Sequence, residues 1–166
     1  MSEERTRTYS WQDPKAHLPK AMQMEGLDYL QNMINGQFPP PPMAQTLNFW
    51  LAEVDKGYAV FECEPQEYHY NPIGVIHGGL AATLLDSALG VAVHTTLEKG
   101  MAYTTVQINV NLTRGIHNNI KKLRAIGKVI HSGRQVATAE ARLVDENDKL
   151  YAHGTTTCLV FPLPSS

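Results

Sequence analysis

The strongest constraint on this chain is a turn rich in Gly and Pro, Asn71-Pro72-Ile73-Gly74-Val75-Ile76-His77-Gly78-Gly79, that runs straight into the apolar stretch Leu80 to Val93. That stretch is apolar almost all the way round a helix, so it predicts a helix with no solvent face, buried in whatever the rest of the chain builds. One carboxylate, Asp86, sits in its middle. Burying it costs free energy unless it has a partner or a task, and it lies too deep to cap the helix. The two glycines at the helix start leave backbone N–H groups and the positive end of the dipole open to a ligand. An open N-terminus together with an internal acid reads as a site.

Composition narrows the setting. At 166 residues the chain suits one domain with enough length to bury a core. Its net charge is −2 and it has no basic block, which argues against nucleic acid and anionic membranes as partners. The apolar run is shorter than the roughly 20 residues a bilayer span needs, and it carries Thr83, Asp86 and Ser87. The polar N-terminus does not read as a signal peptide. Cys63 and Cys158 lack CxxC spacing, so they read as reduced core thiols in a cytoplasmic protein. The histidines form neither a His-x-x-x-His pair nor a His/Cys cluster, so no metal site is expected. The sequence has no dinucleotide fingerprint, no P-loop and no Gly-x-Ser-x-Gly elbow, which excludes a serine hydrolase of the α/β type.

Residues 1–20 read as a flexible N-terminal segment. Residues 21–45 read as a helix, with Leu27, Leu30 and Ile34 at helical spacing, followed by a stiff connector, since four consecutive prolines neither continue a helix nor join a central strand. From Thr46 onward alternation predicts a strand through Leu47, Phe49 and Leu51, a turn at Asp55-Lys56-Gly57, and a strand from Tyr58 to Glu64. After the long helix four more strands are predicted: Val106 to Leu112, Lys121 to His131, Val136 to Val144 and Leu150 to Phe161. Gly127 marks a bulge or a close contact. In the strand around Ala137, Ala139 and Ala141, small residues alternate with Thr138, Glu140 and Arg142, which suits a tightly packed concave face. The sum is an α+β fold in which a curved, mostly antiparallel sheet wraps one long central helix.

This order, with Asn71-x-x-Gly74-x-x-His77-Gly78-Gly79 and Asp86 nine residues after His77, resembles the hotdog-fold acyl-CoA thioesterases. The PaaI-like group of the phenylacetate pathway, related to the 4-hydroxybenzoyl-CoA thioesterases, is most similar. The resemblance runs from about Leu27 to Val160 and implies a hotdog thioesterase domain over residues 46–166. Tyr103-Thr104-Thr105-Val106 and the Gly127 to Arg134 segment fall where the family has similar segments. Arg114-Gly115 departs from the Arg-Pro many members carry.

The resemblance implies hydrolysis of an acyl-CoA thioester, with coenzyme A as part of the substrate and no separate cofactor. Backbone N–H groups of Gly79 or its neighbour Gly78 polarise the carbonyl, and Asp86 acts as general base or nucleophile. His77 either orders the turn or acts near the thioester sulfur. Asn71 either contacts the substrate or forms an Asx-turn before Pro72. Thr104 is expected on the helix-facing side of its strand, beside Asp86, with Thr105 the alternative if the register slips by one. Arg134, next to Gly133, and Arg114 are candidates for the coenzyme A phosphates, with Lys121, Lys122 and Arg124 weaker ones. Met22, Met24, Met33 and Met43 either line an apolar tunnel or simply pack. The family also implies a homodimer or homotetramer in which Asn71, His77 and Gly79 of one chain face Asp86 and Thr104 of another. The rivals are a hotdog hydratase or dehydratase, whose catalytic histidine is placed differently, and a non-catalytic acyl-CoA sensor. Sensors on this fold carry a DNA-binding domain, for which the N-terminus has little room.

Overall fold

The computed structural model describes residues 3–163. Three short helices come first: α1 (Leu18–Ala21), α2 (Gly26–Ile34) and α3 (Pro42–Leu47). They are followed by β1 (Phe49–Asp55), β2 (Tyr58–Cys63), the long helix α4 (Gly78–His94), β3 (Met101–Leu112), β4 (Leu123–Ser132), β5 (Val136–Asp145) and β6 (Leu150–Pro162). The six strands form one wholly antiparallel sheet in the order β1-β2-β4-β5-β6-β3. Helix α4 therefore carries the chain from β2 across the concave face to the far edge, and the segment after β3 brings it back beside β2. This is the hotdog arrangement.

The predicted alternation of β5 holds: Ala137, Ala139, Ala141 and Leu143 are buried under α4, while Glu140 and Arg142 are exposed. The register aligns Ala59, Gly127, Ala141 and Gly154 in one row across β2, β4, β5 and β6. That row is a shallow trough. At Gly127 the helix backbone itself comes down onto the sheet, where a β-carbon would overlap the Ala88 carbonyl oxygen and lie 2.6 Å from its carbon. Gly127 is thus a close contact rather than a bulge. Leu84, Leu85 and Leu89 fill the space on either side and are fully buried, each worth roughly 1.5–3 kcal/mol of apolar burial. Cys63 and Cys158 are buried free thiols, and burial pushes the Cys63 thiol up to about 12.

Two expectations need correction. The strand predicted from Thr46 begins only at Phe49, because residues 42–47 form α3. Pro42 occupies the first turn, where its missing N–H is no loss, and Asn48, in the left-handed region at φ 54°, ends the helix. The connector is extended as far as Pro41 and no further. Nor is α4 enclosed on every side. The sheet covers one face only, and Asp86, His77 and Gly79 are exposed along the other. Residues 3–13 have no regular structure, yet Arg7 holds this stretch down. Its guanidinium lies 4.0 Å from the Tyr68 ring and donates to the Gln45 and Thr46 carbonyls at the end of α3.

Helix α2 covers the C-terminal part of α4's open face. Gly26 N–H donates to the Leu97 carbonyl (2.9 Å), and Tyr29 packs on His94, with ring centroids 5.7 Å apart. His94 lies in the last turn of α4, where the helix dipole favours a cation. Burial outweighs the dipole and pulls the imidazole from 6.5 down to about 4.

Gly127→Ala is expected to cost about 3 kcal/mol, the scale of overpacking against fixed backbone, and to lower Tm by roughly 10 °C. Thermal unfolding reads this, and an unchanged Tm would contradict the close approach. As pH falls, the unfolded chain takes up a proton at His94 near 6.5 that the folded chain refuses until about 4. The stability present above 6.5 is therefore lost across that window. Urea unfolding of His94→Phe from pH 7.5 to 4.5 should show a shallower decline than wild type.

Candidate active site

The turn before α4 is built from its own side chains. Asn71 Oδ1 accepts from the N–H groups of Ile73 (3.1 Å) and Val75 (3.2 Å). The Asn71 N–H donates to the Val75 carbonyl, and Gly74 takes φ 78° to close the loop. The Asx-turn reading of Asn71 is thus the one seen, and it leaves the side-chain NH2 available as a donor.

His77 is the N-cap of α4, and its Nδ1 accepts from the Gly79 N–H at 2.8 Å. A ring that accepts at Nδ1 carries its proton on Nε2, so the exposed edge of His77 presents an N–H. Of the two expected donors, the Gly79 N–H is engaged by this cap. The Gly78 N–H has no hydrogen bond to the described residues. A β-carbon at Gly78 would lie 2.6 Å from Leu112 Cδ1, so the Leu112 side chain would have to move aside.

Sequence reasoning missed His69. It is buried, its Nδ1 accepts from the Gln66 N–H (3.0 Å), and its Nε2 lies 2.9 Å from the Leu47 carbonyl. Its own carbonyl accepts from the His77 N–H (2.8 Å). One residue, through its ring and its backbone carbonyl, thereby ties the end of α3 to the start of α4. Burial lowers its pKa, which keeps it neutral and suited to a backbone link. A lone histidine outside any motif gave no signal for this role.

Asp86 is exposed, and its Oδ1 accepts from Thr105 Oγ1 at 3.2 Å. Thr104, expected beside Asp86, lies instead on the opposite face, across from Leu159. The cause is a bulge at Val106, where the pairing steps from Thr105↔Cys158 to Gln107↔Thr157. Below it Tyr103 and Thr105 face the helix. Beyond it the parity flips, and Val110 packs into the core.

The two proposed phosphate ligands lie at opposite ends of α4. Arg114 lines a cavity of about 330 Å3 with Asn71, Gly78 and Tyr151, and its Nε reaches the Leu150 carbonyl (3.4 Å). Gly133 and Arg134 border a depression of about 1000 Å3 with Ser132 and Glu98. One 17-residue helix, about 25 Å long, separates them, so a single chain does not bring them together. Lys122 and Arg124 are engaged by Glu62 and Glu53 (2.8 and 2.6 Å). Among the described residues no helix is long and apolar enough to cross a membrane.

Gly78 and Asp86 stand about two turns apart on α4, roughly 12 Å along its axis. Comparison with known proteins finds similar chains. Residues 73–152 match the model of the thioesterase superfamily. The chain is 25% identical over 118 residues to the 1,4-dihydroxy-2-naphthoyl-CoA hydrolase of Listeria monocytogenes, covering 71% of this chain and 94% of that protein. It is 29% identical over 99 residues to acyl-coenzyme A thioesterase 13 of Mus musculus, covering 59% and 69%. The solved structure of a phenylacetic acid degradation-related protein from Ralstonia eutropha JMP134 superposes with a TM-score of 0.71 at 28% identity, over 79% of this chain and 98% of that one. The superfamily match contains His77, Gly78, Asp86 and Thr105 but not α2 or α3.

Thr105→Val is expected to lower kcat for a thioester substrate about tenfold, by freeing the Asp86 carboxylate, while Thr104→Val stays within about twofold. Equal effects of the two would argue against the parity flip.

Proposed function

We propose that this protein hydrolyses an acyl-CoA thioester to the free acid and coenzyme A, at a site completed by two copies of the chain. The observation that carries the reading is the spacing on α4. The open Gly78 N–H and the Asp86 carboxylate lie on the same helix but too far apart to act on one carbonyl. Two copies with their α4 helices side by side and antiparallel would set Gly78 of one chain against the partner's Asp86.

Strand β3 supports that pairing. It is an edge strand of 12 residues, bonded on one side to β6, and it exposes Val106, Ile108 and Leu112. A long apolar edge of this kind invites strand addition. Joining two copies along β3 gives a continuous sheet with both α4 helices on one side. The assembly is then a homodimer, or a homotetramer built from two of them.

In this reading the thioester carbonyl accepts from the Gly78 N–H, with the dipole of α4 behind it. The exposed Nε2–H of His77 and the Asn71 side-chain NH2 flank the carbonyl or the sulfur. The partner's Asp86, oriented by its own Thr105, either takes a proton from water as the water adds, or adds to the carbonyl itself. Negative charge gathers on the carbonyl oxygen and is held by the N–H donors, an effect worth roughly 3–4 kcal/mol per well-placed donor. Collapse breaks the C–S bond, and the thiolate leaves as coenzyme A. In the nucleophilic variant water then cleaves the mixed anhydride. Arg114 of one chain and Arg134 of the other are the cations offered to the phosphates.

Asp86→Asn should reduce kcat by about 10²–10⁴, the range for losing a general base, in a thiol-release assay over aryl and aliphatic acyl-CoAs. Absence of turnover on every thioester by wild type, or an unchanged rate in the variant, would overturn the reading.

A further inference from the structure

The described part of the molecule holds a further, partly open space that the chemistry above does not use. It is a cavity of about 420 Å3 between α2, β1 and α4. Leu30 and Met33 of α2, Trp50 and Leu51 of β1, and Val91 and His94 of α4 line it. No Asp, Glu, Lys or Arg faces it, and burial keeps His94 neutral at ordinary pH. Of the four methionines that offered a tunnel wall, Met33 alone lines this space, and Met43 is 54% exposed.

The cavity and the candidate site lie along one line of α4. Asp86, Gly90 and His94 follow at four-residue steps, so they are neighbours on one helix face, spanning about 12 Å. Gly90 leaves a notch in that line. The Tyr103 phenol fills it, and a β-carbon at Gly90 would sit 2.8 Å from the Tyr103 hydroxyl. Tyr103 lies two residues before Thr105 on β3, and its ring packs on His94, with centroids 5.6 Å apart. A phenol thus stands between the carboxylate and an apolar space.

We infer that this cavity receives the apolar end of the acyl group, and that it selects acyl groups larger than one aromatic ring. The inference rests on the thioesterase reading above. Size supports the second part: a cavity of roughly 150 Å3 suffices for benzene, and this one is more than twice as large. Its α2 and β1 walls lie outside the superfamily match. On this inference the Tyr103 phenol turns out of the Gly90 notch, and the acyl tail runs from the partner-completed carbonyl site over Gly90 to end among Leu30, Met33 and Trp50.

The test is kcat/KM for propionyl-, hexanoyl-, decanoyl- and phenylacetyl-CoA, in wild type and in Met33→Trp and Leu51→Trp, which fill the cavity. Wild type should gain with chain length, by up to about fourfold per methylene buried, and prefer decanoyl- to phenylacetyl-CoA. Each filling variant should cut the decanoyl-to-propionyl ratio at least tenfold, whatever its absolute rate. Calorimetric binding of the same series to Asp86→Asn reads the cavity without turnover. A wild type indifferent to chain length, or variants that leave the ratio unchanged, would overturn this inference while leaving the thioesterase reading intact. Selective binding of decanoyl-CoA without turnover of any thioester by wild type would do the reverse.

Discussion

The fold depends on how closely α4 can approach the sheet. Antiparallel strands with ordinary side chains would hold a helix off by a full side-chain layer. Here the row Ala59, Gly127, Ala141 and Gly154 lowers the floor, and the Ala88 carbonyl region rests directly above Gly127. That contact fixes both the depth and the rotation of α4. Its leucines fall into the flanking space, and the row carrying Gly79 and Asp86 is turned away from the sheet. The site's geometry is therefore set by small residues on its far side.

Much of this was legible because a periodic signal needs no tertiary information. The long apolar helix, the alternation of β5 and the turn before β6 follow from local pattern. Two failures share one cause: a single residue that resets the pattern. Asn48 in a left-handed conformation cuts α3 from β1, where plain alternation through Leu47, Phe49 and Leu51 reads as one strand. The bulge at Val106 inverts which threonine meets Asp86. Bulges leave no reliable mark in one sequence, so the choice between Thr104 and Thr105 belonged to the three-dimensional register.

The donor at the helix start shows another limit. Two adjacent glycines look equivalent in sequence. Once His77 folds back as the cap, one N–H is consumed and the other is left open. His69 sets this from a distance, by fixing the chain at Leu47 through its ring and at His77 through its backbone carbonyl. The expected burial of Asp86 failed for a different reason. Hydrophobicity reports that a helix face needs cover but does not say that the same chain provides it. In this chain the sheet covers one face, α2 covers one end, and the face carrying the carboxylate is left open.

The two-turn interval between Gly78 and Asp86 also bears on how such a gene can diverge. On the proposed two-chain site, donor and carboxylate are inherited together but used on different molecules. After gene duplication, one copy can lose its glycine and the other its aspartate without abolishing chemistry, since a mixed pair keeps one complete site. Each copy is then inert by itself, and the pair is bound into permanent dependence. A spacing of eight residues along one helix thus opens a route from self-association to obligate partnership.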